Sequence, residues 1–341
     1  MKRMSFAQSI ESALAQAMAE DERIIIMGED VQMIRVNLFS RFGKERVLNM
    51  PISEAAFVGA AVSAAMSGLK PVVEIMLVDF IGVAMDAIFN HAAKVARFSG
   101  EDWNVPLVIR TACGGGYGDG GQHEQSLWGW LAHIPGLSVL APSTPADAGG
   151  LMLTAIEHDG PVIYFEHKLL SDYWLDYLGG SSRKTVEFDV PSEGAYGFVP
   201  KKWEAIPMGQ AVSRRDGKDI TIISVAVGVH RSIEAADVLE KKGIYATVLD
   251  LRSISPLDKD RVCESVSRTG RLLVVDEDYK NFGLSGELAA LVKEAGVFFK
   301  FARVCTDDTI PYARGLEDQT LPNTEKIVST ALRLMERTNS K

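Results

Sequence analysis

A glycine-rich segment carries the first candidate for chemistry, His123. Residues 114–126 read GGGYGDGGQHEQS and follow Pro106–Arg110, an apolar run typical of a buried strand. A histidine between a strand and a helix lies at the carboxyl edge of a parallel sheet, where α/β proteins collect catalytic groups. Glycines at that place let the backbone approach a ligand closely. These features favour a catalytic role for His123 over the structural role that most single histidines have.

The other motifs in and around this loop are incomplete. Gly118–Gly120 reads Gly-Asp-Gly, as in a metal–diphosphate site, but the asparagine that such a site requires further along is missing, since none lies between Asn104 and Asn281. We therefore expect no metal at Asp119. No Lys-Ser or Lys-Thr follows the glycines, so the loop also lacks the features of a phosphate-binding loop. The remaining histidines lack comparable surroundings: His91, His133, His158, His167 and His230.

Glu54 is the second candidate, because it begins a helix of small side chains. Ser53 is a suitable N-cap for the segment EAAFVGAAVSAAMSG, whose alanines and glycines predict close packing on all sides. An acidic residue in a first turn interacts favourably with the helix dipole, which is a purely structural explanation. A carboxylate that is buried there needs a charge or hydrogen-bond partner instead. The pattern supports both explanations equally.

The composition limits the class of protein. The chain has 341 residues, of which 47% are apolar and 24% charged, and this length predicts two globular domains. A formal charge of −9 argues against a nucleic-acid partner. Cys113, Cys263 and Cys305 lie far apart, as expected of buried thiols in a cytosolic protein. No apolar stretch is long enough for a membrane span, and the start does not resemble a signal peptide. We expect an α/β protein of the cytoplasm.

Alternating strands and helices predict the sheet that positions both candidates. Ser5 and Gln8 form a capping box for a first helix that ends near Glu20. Strands separated by helices predict a parallel sheet with both faces covered. The predicted strands are Ile24–Met27, Val72–Val78, Pro106–Arg110, Leu137–Leu140 and Val162–Phe165, and the helices after Glu54 include Ile81–Phe98, Gln125–His133 and Ala146–Glu157.

The second half of the chain predicts a further α/β domain. Residues 168–205 are rich in glycine, proline and aromatic residues without a clear period, which is typical of a long connection. From Asp219 the alternation of strands and helices resumes and ends in the helix TEKIVSTALRLMER. We predict two domains, 1–185 and 206–341, joined by a linker over 186–205.

Several segments together resemble the β subunit of the thiamine-dependent 2-oxo acid dehydrogenases, which include pyruvate, branched-chain and acetoin dehydrogenases. The resemblance covers nearly the whole chain, and VDFIGVAMDAIFNHAAK and FEHKLL are most similar to the acetoin-cleaving members. It implies a parallel-sheet, transketolase-type pyrimidine-binding domain followed by a transketolase C-terminal α/β domain. The segments are MGEDV, PISEAAFVGAAVSAAMSGLKPVVEIMLVDF, PLVIRTACGGG, QHEQSLWGWLAHIPGLSVLAPSTPADA, GPVIYFEHKLL, LDLRSISPLD, LLVVDE and LEDQTLP.

The resemblance also implies a cofactor and partners. Family members form α2β2 heterotetramers with thiamine diphosphate at each α–β interface, and the α subunit holds most of the magnesium site, which would explain the missing asparagine. They cleave a 2-oxo acid or acetoin as a small-molecule substrate and reductively acylate lipoyl groups of a dihydrolipoyl acyltransferase core. One alternative is a split transketolase-like enzyme that acts on sugar phosphates without lipoamide. Another is a non-catalytic scaffold subunit.

Matching positions carry the family's site residues onto this sequence. Glu54 in PISEAAF matches the glutamate that hydrogen-bonds the aminopyrimidine ring and exchanges a proton with it. Met76 and Phe80 in EIMLVDF match residues that contact or stack on that ring. His123 matches the histidine near the thiazolium, which handles protons or orients the lipoyl disulfide. Where the family usually has Gln-His-Ser-Gln, this chain has Gln-His-Glu-Gln, so Glu124 is expected to place a carboxylate beside His123 and to favour its protonated form or recognise a different substrate.

Two further departures concern a potassium ion and a loop. Some members hold potassium through backbone carbonyls, and here His158 and Gly160 replace the usual aspartate and asparagine. Many relatives carry a glycine-rich insertion after Asp30, where this chain has only VQMIRVNL, which predicts an altered substrate choice. The positions that match the potassium site are Leu107, Ala155, Ile156, His158 and Gly160.

Overall fold

Strands alternate with helices along the chain, as predicted, in the computed structural model, which describes residues 1–175 and 194–336. The strands are β1 Lys2–Ser5, β2 Ile24–Gly28, β3 Val47–Asn49, β4 Lys70–Leu77, β5 Val108–Cys113, β6 Ser138–Leu140, β7 Val162–His167, β8 Tyr196–Val199, β9 Val212–Arg215, β10 Ile220–Ser224, β11 Ala246–Asp250, β12 Ser253–Ser255, β13 Arg271–Tyr279 and β14 Lys300–Thr306. The helices are α1 Phe6–Glu20, α2 Val31–Ile34, α3 Val36–Phe42, α4 Glu54–Met66, α5 Val95–Phe98, α6 Trp128–Ala132, α7 Pro145–Glu157, α8 Val227–Glu240, α9 Lys259–Thr269, α10 Leu284–Glu294, α11 Arg314–Thr320 and α12 Thr324–Glu336.

The larger sheet has the order β12–β6–β7–β5–β4–β2–β3 within the described residues. Every neighbouring pair from β6 to β3 is parallel, and β12 joins the edge antiparallel to β6. Parallel strands place their carboxyl ends at one edge, so the segments after β2, β4, β5 and β7 meet there. The predicted parallel sheet is confirmed, and its carboxyl edge is where the candidate residues lie.

The smaller sheet belongs to the second half of the chain. Its order is β14–β13–β10–β11–β9, with only β9 antiparallel to its neighbour. The helices α8 to α12 accompany it, in agreement with the second α/β domain predicted from the resumed alternation. The fold class expected from the sequence is therefore confirmed in both halves.

The two halves share buried apolar and charged contacts. Trp128 and Leu131 of α6 belong to the same buried cluster as Leu284 and Leu288 of α10, so one apolar core continues from one sheet to the other. A buried charge network adds to this contact: Asp147 at the start of α7 pairs with both Arg214 and Arg252, and Arg214 lies 2.8 Å from Asp250. Buried carboxylates of this kind are stable only when they are paired.

Two predicted helices are shorter or different in kind. Residues predicted as one helix, Ile81–Phe98, form a 3₁₀ helix over Val78–Ala84, a π-helix over Ala87–Ala92 and the short α5. Gly82 lies in this segment, and glycine weakens a continuous α-helix. The predicted helix Gln125–His133 is limited to α6, because Gln125 instead extends its side chain to Asp79 and Tyr279, with distances of 2.7 and 3.0 Å.

The predicted linker contains a strand that belongs to the first domain. Strand β8 pairs antiparallel with β1, and both were missed because each is short and its partner lies far away along the chain. Trp203 in the same segment donates its indole N–H to Ser12 of α1 at 3.0 Å. The second part of the predicted linker thus contains regular structure, and the boundaries of the linker stay a prediction. Residues 176–193 lie outside the described residues.

Helix α4 packs less completely than its composition suggested. We expected it to be buried all round, but one side is exposed in this chain, while Phe57, Val58, Ala61 and Val62 are buried on the other. The pattern was misleading because small side chains suit contact with another subunit as well as a core. The exposed residues are Ala55, Ala56, Ala60, Ser63 and Met66.

The cysteines largely agree with expectation. Cys113 and Cys305 are buried and Cys263 is half-buried, and none of the three is in a disulfide. In the part of the chain that the structure describes, no helix has the length and apolar character needed to cross a membrane.

Candidate active site

A bulge at the end of β4 directs Met76 into the site. The pairing of β4 with β5 shifts register between Ile75 and Leu77, so Met76 is the extra residue. Bulges often occur next to active sites, because they turn one side chain away from the regular alternation. The chain then enters the 3₁₀ helix that carries Phe80, and both side chains pack against the apolar cluster of Leu77, Ala112 and Trp174.

His123 meets Phe80 at the same edge of the sheet. The two rings are arranged edge to face, with their centres 5.9 Å apart. The Nδ1 atom of His123 is buried and has no hydrogen-bond partner among the described residues. Its nearest carboxylate oxygen, on Asp119, is 4.0 Å away, beyond hydrogen-bonding distance. The imidazole is therefore held by ring contact and leaves Nδ1 available to a bound molecule.

The backbone of His123, in contrast, is firmly held. Its carbonyl accepts hydrogen bonds from the Tyr117 hydroxyl at 3.1 Å and from the Lys168 ammonium, and its N–H donates to the Gly120 carbonyl at 3.0 Å. Lys168 is fully buried, and burial lowers its pKa, although nearby acidic groups such as Asp79 oppose that shift. A lysine from the end of β7 thus fixes the position of the catalytic candidate.

Carboxylates from the C-terminal domain bind the amides of the glycine loop. Glu277 at the end of β13 accepts from the Gly115 N–H at 3.0 Å. Glu317 of α11 accepts from Gly116 at 2.6 Å with one oxygen and from Gly118 at 3.0 Å with the other. Successive N–H groups of a glycine-rich turn form an anion-binding site. Here the anions are protein side chains, so the loop binds no phosphate with these amides.

Glu124 points into the loop instead of toward His123. Its carboxyl group is fully buried and accepts hydrogen bonds from the Tyr117 and Gly120 amides, at 3.2 and 2.7 Å. Burial, together with a hydrogen bond to Glu317 and its negative charge, raises the pKa of Glu124 to about 8. The expectation that Glu124 acts on the imidazole or recognises a substrate is wrong, because a side chain without solvent exposure is already occupied by the loop.

The glycines of this loop let its backbone lie close to residues of the C-terminal domain. A methyl group on Gly115 would come within 2.8 Å of Leu321, and one on Gly118 within 3.2 Å of the Tyr312 carbonyl. Gly118 also has a positive φ of 77°, which other residues rarely adopt. The small residues therefore allow two domains to meet closely around His123.

His167, for which no catalytic role was predicted, also contacts the carboxylates around the glycine loop. It ends β7 opposite Cys113 of β5, and its Nε2 lies 2.9 Å from a Glu277 oxygen. The Leu169 N–H donates to Nδ1 at 3.2 Å, so the proton of the neutral ring is on Nε2. Burial opposes charge on Glu277, but His167 and the Gly115 amide hold its pKa at about 2. The position at the end of a central strand was the signal that could have identified His167.

A methyl group in place of the Gly114 hydrogen tests this packing. Gly114→Ala would place its Cβ 2.0 Å from the His167 ring, at a φ of +93°. Gly68→Ala is the matched control, because φ is +97° there and nothing lies within 4 Å. We expect the Gly114 substitution to lower the free energy of unfolding by about 1–3 kcal/mol more than the control, which is typical of overpacking. Equal losses in urea unfolding would show that the loop moves freely.

Glu54 lies at the start of α4, and the residue is largely buried. Ser53 precedes it at the N-cap position, but the Ser53 side chain makes no capping hydrogen bond. No described residue hydrogen-bonds the Glu54 carboxylate, and only 8% of the residue is exposed. Burial of Glu29 raises the pKa of that residue, and the charges of Asp30 and then Glu54 add to the shift. Glu29 in turn lines a small pocket with Met76, which connects Glu54 to the rest of the site.

The predicted cofactor residues thus lie at one edge of the sheet, and the potassium positions lie elsewhere. Leu107 precedes β5, and the others surround the end of α7 before β7, at the amino edge of the sheet. The Leu107 carbonyl accepts from the Val162 N–H at 2.8 Å, and the Ile156 carbonyl accepts from the Lys70 ammonium at 3.2 Å. Two of the carbonyls therefore already have partners, and one of those partners is a cation.

Comparison with known proteins agrees with this geometry. The family profile "Transketolase, pyrimidine binding domain" matches residues 2–172, and "Transketolase, C-terminal domain" matches residues 209–327. The chain is 39% identical to the β subunit of acetoin:2,6-dichlorophenolindophenol oxidoreductase from Cupriavidus necator, over 98% of both chains. It belongs to the β subunits of the thiamine-dependent acetoin and 2-oxo acid dehydrogenases. This β subunit is also 35% identical to 2-oxoisovalerate dehydrogenase subunit beta from Bacillus subtilis, over 98% of this chain and 100% of the relative.

A solved structure shows the same fold. The chain described as "Split gene transketolase, inactive beta4 tetramer" superposes with a TM-score of 0.77 over 98% of both chains, at 20% identity. This similarity confirms the transketolase-type architecture that the sequence predicts. The relatives of the β subunit by sequence favour a dehydrogenase over the split transketolase alternative.

Proposed function

We propose that this β subunit forms, with an α subunit, a thiamine-diphosphate-dependent dehydrogenase that cleaves acetoin or a 2-oxo acid and transfers the acyl group to lipoyl groups. The observation that carries the proposal is Glu54, which is largely buried and whose carboxyl group no described residue of its own chain hydrogen-bonds. A buried carboxyl needs a partner, and an aminopyrimidine nitrogen is a suitable one. Met76 and Phe80 supply apolar contacts nearby for a flat ring.

Each residue would make a distinct contribution once the cofactor is bound. Thiamine diphosphate supplies the electron sink for cleavage next to a carbonyl. Glu54 would hold the pyrimidine ring and exchange a proton with its ring nitrogen, and Met76 and Phe80 would exclude water from its faces. His123 has a buried Nδ1 without a hydrogen-bond partner among the described residues, so it would bind a substrate or lipoyl group and move a proton there.

The exposed side of α4 supports a partner subunit next to Glu54. Ala55, Ala60 and Met66 are exposed on the helix that Glu54 begins. Small side chains let another backbone approach closely, so an α subunit covering this side would bury the cofactor between the chains. We assign the magnesium–diphosphate site to that subunit, because the required asparagine is missing from residues 105–280. An α2β2 assembly and an acyltransferase core complete the proposal, with domains over 1–185 and 206–341.

Potassium remains part of the proposal as a structural ion only. The five carbonyl positions lie at the amino edge of the sheet, away from His123. Because the Lys70 ammonium already contacts the Ile156 carbonyl, any ion there would share that oxygen with a lysine.

An assay of the chain with its α subunit tests the proposed function. With thiamine diphosphate present, we expect reduction of a dye acceptor or of lipoyl groups with acetoin or a 2-oxo acid. The assay compares kcat/KM for acetoin, pyruvate and a branched 2-oxo acid, and the compound with the highest value identifies the substrate. Ketol transfer between sugar phosphates without lipoamide would instead favour the split transketolase. Absence of any cofactor-dependent turnover would favour a scaffold subunit.

A further inference from the structure

Two carboxyl groups from different domains meet inside the loop that carries His123. Glu124 comes from the loop and Glu317 from α11, and neither residue is exposed to solvent. A methyl group on Gly115 would lie 3.3 Å from a Glu317 oxygen and 3.4 Å from the Glu124 Cβ, so the two side chains are neighbours. Together they accept hydrogen bonds from the amides of residues 116, 117, 118 and 120. Two buried carboxyl groups in contact cannot both be ionised, because their like charges repel strongly without water. One proton must therefore lie between them.

The surroundings indicate which carboxyl group holds that proton. Glu317 accepts hydrogen bonds from two amides and from the Arg314 guanidinium at 3.1 Å, whereas Glu124 accepts from two amides only. The cation facing Glu124 is Lys168, whose own charge is opposed by burial. Glu124, which has fewer donors around it, is thus the carboxylic acid of the pair.

Among the other titratable groups around the pair, Tyr117 and Glu277 keep one state over the same range of pH, whereas Asp278 titrates within it. Burial and the charge of Glu124 raise the pKa of Tyr117 far above its ordinary value, so the phenol stays neutral. Glu277 stays ionised, because His167 and the Gly115 amide hold its pKa at about 2 against the effect of burial. Asp278, with a pKa of about 8 raised by burial and by Asp276, is bound to the Gly129 amide beyond the loop. The remaining groups that face the loop are Asp79, Asp119, Lys168, Arg231 and Arg314.

We propose that Glu124 is a positioning residue, whose acid form joins the His123 loop to Glu317 of the C-terminal domain and whose ionisation releases the loop. This inference rests on the proposed role of His123. The folded chain binds the Glu124 proton more tightly than the unfolded chain, where a glutamate has a pKa of about 4.3. The protonated Glu124 side chain therefore contributes its full stabilisation of the folded state below about pH 4.3. It is lost as the pH rises to about 8.

Hydrogen exchange in the loop tests this proposal on the reconstituted αβ complex. Peptides covering residues 114–126 are followed by mass spectrometry from about pH 6 to about pH 9, after correction for the intrinsic rate. In the wild type we expect protection to fall about tenfold or more as the pH passes about 8. Glu124→Gln keeps a neutral donor to Glu317 but loses one acceptor, so protection should be lower at pH 6 and nearly constant with pH. The exposed Glu294→Gln is the matched control and should behave as the wild type.

A second variant and a second readout keep the test decisive. Glu317→Gln removes the charge that raises the Glu124 pKa, so the loss of protection should move to lower pH. Infrared spectra of the wild type near neutral pH should show a protonated carboxyl band that Glu124→Gln removes. A pH transition that persists in Glu124→Gln, or the absence of that band, would overturn the proposal. Glu54→Gln should keep the transition while losing turnover, so failure here is distinguishable from failure of the proposed function.

Discussion

Replacing Glu54 with glutamine is expected to lower turnover of the reconstituted enzyme by about 10²–10⁴-fold, the usual contribution of a positioned acid or base. Glutamine has nearly the same shape but cannot exchange a proton with the pyrimidine ring. The Glu54 carboxylate has no hydrogen bond to another described residue, so the change breaks no internal contact that the structure shows. We therefore expect kcat to fall while the midpoint of thermal unfolding changes by at most a few degrees.

The control for this substitution is a glutamate of the same charge at the surface. Glu45→Gln removes an exposed carboxylate whose nearest ion-pair partner, Lys44, is 3.9 Å away. It should leave kcat within about twofold, since isolated surface pairs contribute little. Cofactor affinity measured by equilibrium titration separates lost binding from lost proton exchange. Turnover of Glu54→Gln equal to that of the control would remove Glu54 from the mechanism.

His123→Asn is expected to lower the rate with a lipoyl acceptor by about 10²-fold. The loop holds this residue through its carbonyl and N–H, which asparagine retains, and Nδ1 has no partner within the described chain. The loss should therefore concern the chemistry and leave the free energy of unfolding nearly unchanged. If His123 orients the lipoyl disulfide, a dye that accepts electrons directly should show a smaller loss, and steady-state assays with both acceptors measure the difference.

His91→Asn provides the control for that experiment. His91 lies in the π-helix, is largely exposed and pairs only loosely with Asp86, at 3.6 Å. It should change neither rate by more than about twofold. Rates for His123→Asn that match this control with both acceptors would show that the histidine has only a structural role.

Elements with a regular period were predictable from the sequence. The capping box of Ser5 and Gln8 is present, and the first helix ends at Glu20 as expected. The central strands of the first sheet were found, with boundaries that differ by a few residues, because buried parallel strands read as continuous apolar runs. The same reasoning located the strands and helices from residue 219 onward.

Short and irregular elements could not be predicted, because distant contacts determine them. Strand β1 pairs with β8, and β12 pairs with β6 of the other half, so neither strand has a local signal. The π-helix at Ala87–Ala92 retains helical periodicity in the sequence, which made it resemble an ordinary α-helix.

The candidate site shows the same division. The position of His123 after a strand was visible, but the carboxylates that hold its loop come from far along the chain. Glu317 binds Gly116 across 201 residues and Glu277 binds Gly115 across 162. The interpretation of Glu124 failed because sequence proximity to His123 does not tell which way a side chain points.

Proton exchange in the bound cofactor tests the role of Glu54 most directly. Wild-type and Glu54→Gln complexes, each saturated with thiamine diphosphate, are mixed with deuterated water and quenched, and deuterium is measured at the acidic carbon of the thiazolium ring. In the proposed mechanism Glu54 exchanges a proton with the pyrimidine, so exchange should be about 10²-fold slower or more in the variant with the cofactor still bound. Equal exchange rates in the two complexes would contradict the assignment of Glu54 and, with it, the proposed mechanism.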